Sequence, residues 1–161
     1  MRNTFLKTGA AVPALQVGNV SYNCDVIISM MKENSDCSLL VFPELCITGY
    51  TCADLFQQSL LLNQAVEGLF EIAEASGDIL SSIFVVGVPL QYGNQLYNCA
   101  AFISEGKICG IVPKISIPTY SEFYEGRWFA SGKGIVNAVI TLKGKSIPFG
   151  TDLLFDNGNG A

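Results

Sequence analysis

Two charged residues of this chain arise from the same local pattern, and together they could move a proton and stabilise an anion. Val41-Phe42-Pro43-Glu44 and Ile111-Val112-Pro113-Lys114 each stop an apolar run with proline and then deliver a charge. Proline donates no ladder hydrogen bond and belongs at a strand end. Glu44 and Lys114 are therefore expected at the carboxyl ends of buried strands, the edge where α/β sheets form ligand sites. If both strands share a sheet, a carboxylate base stands beside a cation. The plainer alternative is a structural ion pair, which need not add stability. The chain has no histidine, so it holds neither a His-based triad nor the common His-containing zinc site. Acid–base chemistry falls to Glu, Asp, Lys, Tyr or Cys.

The elements that must position these groups can be read from periodicity and punctuation. Phe5 to Val12 reads as a first strand closed by Pro13. Asn19 or Ser21 is suited to cap a helix over Tyr22 to Lys32, where Val26, Ile27 and Met30 share a face. After the polar turn Glu33 to Asp36, the apolar run Ser38 to Phe42 reads as a strand buried on both faces. Strand, helix and buried strand in that order begin an α/β unit. Thr51 to Phe56 reads as a helix entry, and Leu62 to Ala75 as a helix with Ala65, Leu69, Ile72 and Ala73 in one stripe. Ile83 to Val88 is a further buried strand, closed by Pro89. Two hairpins follow: Leu96 to Ile103 with Lys107 to Val112, and Ile135 to Leu142 with Ser146 to Phe149. Asp156 to Ala161 has the composition of an unanchored tail.

Bulk properties narrow the function classes. The 161 residues suffice for one domain with a core, and a chain 50% hydrophobic and 14% charged is globular. Net charge is −5, with few and scattered Lys and Arg, so the basic footprint of a nucleic-acid binder is missing. No apolar run approaches a membrane span, and Met1 to Lys7 lacks a signal peptide's apolar core. Six cysteines, at 24, 37, 46, 52, 99 and 109, form no CxxC pair. Several lie in apolar segments, where free Cys behaves as a small hydrophobe. A reducing cytosol fits them best.

Between Pro113 and Gly134 runs a long loop, rich in aromatics and charge, and such loops are usually functional. Its stretch Pro118-Thr119-Tyr120-Ser121-Glu122-Phe123-Tyr124-Glu125 adds to a second motif, Glu44-Leu45-Cys46-Ile47-Thr48-Gly49-Tyr50-Thr51-Cys52-Ala53-Asp54-Leu55-Phe56. With Phe149-Gly150-Thr151-Asp152-Leu153-Leu154-Phe155, these motifs carry a resemblance over essentially the whole chain. The chain resembles the nitrilase superfamily of carbon–nitrogen hydrolases, and within it the glutaminase domains of glutamine-dependent NAD synthetases.

That resemblance implies an α/β fold, the first half of a nitrilase-type α-β-β-α sandwich, with residues 1–161 forming the N-terminal portion of the hydrolase domain. It implies a Glu–Lys–Cys triad that hydrolyses an amide, with glutamine as substrate. Glu44 matches the general base and Lys114 the oxyanion-stabilising cation. Glu122, eight residues beyond Lys114, matches the accessory glutamate that orients the lysine. Tyr120 matches a glutamine-binding position, and Tyr50 lines the same pocket.

The pattern also departs from the family. Its nucleophile is a cysteine in a Glu-x-Cys-Glu-Asp-like stretch, and no such stretch occurs here. Cys46 lies two residues after Glu44 and Cys52 in the same motif, but a buried structural role is expected of each, and Cys24, Cys99 and Cys109 read as core. The chain is therefore expected to be part of a longer enzyme and to release no ammonia by itself. By resemblance, the full enzyme passes ammonia to a C-terminal synthetase domain that uses ATP and magnesium; no cofactor or metal is expected to bind these residues. An uncovered sheet face is expected to associate, so a homo-oligomer is implied. Two alternatives stand beside this: another nitrilase-type amidase or carbamoylase, and a non-catalytic module kept for binding or assembly.

Overall fold

In the computed structural model, which describes residues 5–156, strand and helix alternate before the chain turns to hairpins. Thr8–Ala10 (β1), Val20–Glu33 (α1), Leu39–Val41 (β2), Ser59–Ala75 (α2) and Ile83–Tyr92 (β3) form two successive parallel βαβ units. Gln95–Ser104 (β4) and Lys107–Pro113 (β5) then run antiparallel to their predecessors. Ala138–Leu142 (β6) and Lys145–Phe149 (β7) make a last hairpin, joined to β5 by a parallel pairing at Ile111 and Phe149. The result is one seven-stranded mixed sheet in the order β1-β2-β3-β4-β5-β7-β6. The α/β class expected from the sequence holds.

The order β1-β2-β3 advances in one direction, so two right-handed crossovers leave α1 and α2 on the same face. Against them β3 turns Phe84, Val86, Val88 and Leu90, all essentially buried. The helices answer at helical spacing, with Cys24, Ile27 and Met31 from α1 and Ala65, Leu69 and Ile72 from α2. Each large apolar side chain buried here contributes about 1.5–3 kcal/mol of transfer free energy. Asn19 caps α1 through its side chain, which accepts from the Tyr22 N–H. Of the two proposed caps, the structure selects Asn19. The sheet's other face is covered at one end, where Phe155 stacks on Phe102 with ring centroids 3.7 Å apart. Further along, towards Pro43 and Pro113, it is open.

Several expectations are corrected. The second strand is shorter than its apolar run and not buried on both faces, because Val41 is 38% exposed. Pro89 does not close β3, which continues to Tyr92 and turns at Gly93. β2 pairs only as far as Val85, so by Pro89 one edge of β3 is open, and an open edge tolerates a missing N–H. Thr51 to Phe56 becomes a 3-10 turn over Ala53–Gln57 rather than the start of an α-helix. Cys109 is exposed on β5 rather than core. Beyond Asp156, the expected tail lies outside the described residues.

Candidate active site

Glu44 is placed by a turn that needs a glycine opposite it. β2 ends at Val41, and the Phe42 N–H still bonds the Val85 carbonyl at 2.8 Å. The chain then folds over through residues 43–49, with Leu45 at φ 53° and Gly49 at φ 86°. This turn lies directly on β3 at Gly87. A Cβ on Gly87 would stand 2.2 Å from the Leu45 nitrogen and 2.5 Å from the Pro43 carbonyl oxygen. Only a residue without a side chain lets Glu44 sit there.

Lys114 arrives from β5, and the two proline-terminated strands do meet at one edge. Lys114 Nζ lies 2.9 Å from Glu44 Oε2 and 3.2 Å from Oε1. It also lies 3.0 Å from both carboxylate oxygens of Glu125. Three ammonium protons thus serve four oxygens, and one cation balances two carboxylates. Partial burial acts to lower the lysine pKa, but hydrogen bonds and charge from Glu44 and Glu125 outweigh it and hold the value above normal. The group stays a cation.

Two residues that the sequence did not single out complete the arrangement. Glu125 is buried and accepts from the Tyr50 hydroxyl at 2.5 Å. Burial and that bond to Glu125 both raise the Tyr50 pKa, so the phenol keeps its proton and donates. Asn98, buried on β4, donates from Nδ2 to Glu44 Oε2 at 3.1 Å, while its carbonyl accepts from the Lys114 N–H at 2.8 Å. It therefore aims the carboxylate and anchors the backbone of the cation. A polar side chain inside the apolar run Leu96 to Ile103 was the available signal.

The remaining sequence candidates fall differently. The acid on Lys114 beside Glu44 is Glu125, where the resemblance implied Glu122. Glu122 is exposed and lines a small cavity of about 180 Å³ with Tyr50, Phe123, Tyr124 and Trp128. Tyr120 is 69% exposed against Phe123 and lines neither this cavity nor the groove beside Glu44. That groove, about 280 Å³, is bounded by Val41, Val85, Gly87, Asn98, Ala100 and Val112, with Glu44 and Lys114 at its end. Half of the Glu44 side chain faces solvent, so it can receive a proton from that side.

No thiol is presented to this carboxylate. Cys46 is fully buried, its sulfur held by the Gly87 N–H at 3.3 Å and its S–H directed at the Gly87 carbonyl at 3.6 Å. Burial pushes its pKa up to about 12, the opposite of what a nucleophile needs. Cys24 is likewise raised by burial to about 12, and burial raises Cys52 and Cys99 as well. Cys109 is exposed but lies on β5 five residues before Lys114, which follows directly on the strand's end, roughly 16 Å away.

The structure is thus a mixed sheet layered with helices that carries a paired carboxylate and lysine at the carboxyl ends of its strands. The family model for carbon–nitrogen hydrolases matches residues 10–157, and the chain belongs to that family. Within it, the chain is 37% identical over 153 residues to the glutamine-dependent NAD(+) synthetase of Mycobacterium tuberculosis, covering 94% of this chain and 22% of that protein. The crystal structure of a glutamine-dependent NAD(+) synthetase from Cytophaga hutchinsonii superposes with a TM-score of 0.84 at 28% identity, over 94% of this chain and 26% of that one. An amidase from Nesterenkonia sp. shares the fold, with a TM-score of 0.66 at 20% identity over 91% of this chain and 55% of that one. The chain spans about a quarter of the length of the synthetases it matches. Among the described residues, no helix is long and apolar enough to cross a membrane.

Proposed function

We propose that this chain supplies the base and the cation for hydrolysis of the glutamine side-chain amide, as the N-terminal part of a glutaminase domain like that of the NAD synthetases. The carrying observation is the 2.9 Å contact between Lys114 Nζ and Glu44 Oε2 at the mouth of an open groove. In this reading Glu44 takes the proton of an attacking thiol, and the thiolate adds to the amide carbon. Lys114 turns a proton towards the new oxyanion. Glu44 then returns its proton to the leaving nitrogen, ammonia departs, and water hydrolyses the thioester. Glu125, Tyr50 and Asn98 keep the two reacting charges in place.

The thiol is none of this chain's six: Cys24, Cys37, Cys46, Cys52 and Cys99 are buried, and Cys109 lies far back along β5. Ammonia would serve a C-terminal synthetase domain that consumes ATP and magnesium. Six unpaired cysteines suit the reducing cytosol, and the open sheet face beside the site suits a covering partner, the rest of the domain or a second copy.

Two measurements test this reading. The isolated chain should release no ammonia from glutamine; turnover lost in Cys46→Ala or Cys52→Ala would overturn that. A chimera carrying this chain in place of the matching segment of the M. tuberculosis synthetase should hydrolyse glutamine. Its Glu44→Gln and Lys114→Met variants should lose at least about a hundredfold. A chimera indifferent to both substitutions refutes the assignment.

A further inference from the structure

One exposed carboxylate away from the Glu44–Lys114 contact gathers more donors than a solvated surface acid requires. Asp54, on the 3-10 turn Ala53–Gln57, accepts two parallel hydrogen bonds from Arg127, Nε to Oδ1 at 2.8 Å and Nη2 to Oδ2 at 3.0 Å. A third comes from the indole N–H of Trp128 at 2.9 Å. A guanidinium fork on a carboxylate fixes direction as well as charge. Beneath it, Phe56 from the same turn meets Phe129 edge-on, with centroids 4.9 Å apart, and Trp128 at a tilt, at 6.2 Å.

These contacts join two segments that the site also joins. Tyr50 lies four residues before Asp54, and Glu125 two residues before Arg127. Tyr50 donates to Glu125 at 2.5 Å, and Glu125 holds Lys114 at 3.0 Å. Glu125 belongs to no strand. It sits in the long loop from 114 to 137, whose regular structure among the described residues is the single 3-10 turn Glu125–Arg127. No sheet ladder therefore determines where its carboxylate points, and a tie just after it can.

The geometry points to Asp54 as a positioning residue: by clamping Arg127 and Trp128 it keeps Glu125 on Lys114 Nζ, and so sets the direction in which the lysine offers its protons. The use of that direction rests on the proposed amide hydrolysis, but the clamp acts without turnover and can be tested without it.

Trp128 is the chain's single tryptophan, so its emission reports on the clamp directly. Asp54→Asn keeps the shape and removes the charge; Arg127→Gln removes the fork. Both should shift Trp128 emission to the red and increase its quenching by acrylamide. The deciding readout is the rate at which acetic anhydride labels Lys114, measured by mass spectrometry with Lys143 and Lys145 as internal references. Lys114 should label roughly two- to fivefold faster in both variants, the scale of one exposed ion pair, and Asp54→Glu should restore the native rate. If Trp128 responds and Lys114 does not, Asp54 is a surface tie and the proposal fails. It fails equally if neither responds, or if both variants unfold, since the clamp would then support the whole fold rather than one side chain. Failure of glutamine hydrolysis in the chimera leaves these rates untouched, so the two readings fall separately.

Discussion

Gly87→Ala tests whether Glu44 is placed by steric fit between the turn and β3. The three nearest atoms to a Cβ at this position are all backbone: Leu45 N at 2.2 Å, Pro43 O at 2.5 Å and Glu44 C at 2.7 Å. None can swing aside as a side chain would, so the whole turn must lift by about 1 Å to restore van der Waals contact. Such overpacking costs about 1–3 kcal/mol, and rigid backbone on all sides puts this case at the upper end. With a urea dependence of about 2 kcal/mol per molar for a domain this size, a 3 kcal/mol loss lowers the unfolding midpoint by about 1.5 M. The same lift stretches the 2.9 Å Glu44–Lys114 contact, so Lys114 should become more reactive to acetic anhydride. Urea unfolding followed by Trp128 fluorescence supplies the first number and labelling the second. Gly77→Ala is the control, because a Cβ there first meets an atom at 3.6 Å and should be tolerated. A Gly87→Ala chain with native midpoint and native Lys114 reactivity refutes the steric account.

Two further outcomes follow from the burial of the charges. Lys114→Met strands Glu125, whose side chain is 4% exposed, and should cost about 3 kcal/mol in urea unfolding. Glu44→Gln should cost less than about 1 kcal/mol, because half of that side chain already faces water; equal losses would contradict the asymmetry. Hydrogen bonds from Arg127 and then Trp128 hold the Asp54 carboxyl at about 2, against an ordinary 3.8. Its folded value is the lower, so the clamp contributes fully above pH 3.8 and is lost as pH falls through about 2. Trp128 emission should show a step in that window in the native chain, and the same step in Asp54→Asn would exclude Asp54 as its source.

How much of this was legible in the sequence depends on how local each cause is. The two proline stops are local: Pro43 and Pro113 end their runs wherever the sheet lies, so Glu44 and Lys114 could be assigned to strand ends, while their meeting waited on both strands sharing one sheet. The apolar spacing of α2 and the Asn19 cap are local too. Pro89 misled, because whether a proline ends a strand depends on whether a neighbour needs its N–H, and β2 stops short of it. Cys109 misled for a similar reason, since alternation alone does not say which face of β5 is covered.

The choice between Glu122 and Glu125 lies at the far end of that scale. Both stand in one acidic-aromatic motif three residues apart, and composition gives no preference. The decision belongs to the path of a loop that passes under Tyr50 and is clamped at Asp54, residues more than 60 positions upstream. From its sequence alone, the chain was committed to a carboxylate and a cation each at the end of an apolar strand, because strand termination is encoded within a few residues. Which acid shares the lysine, and that no cysteine of the chain faces it, was decided only by tertiary packing, because burial and contact are properties of segments brought together from distant parts of the chain.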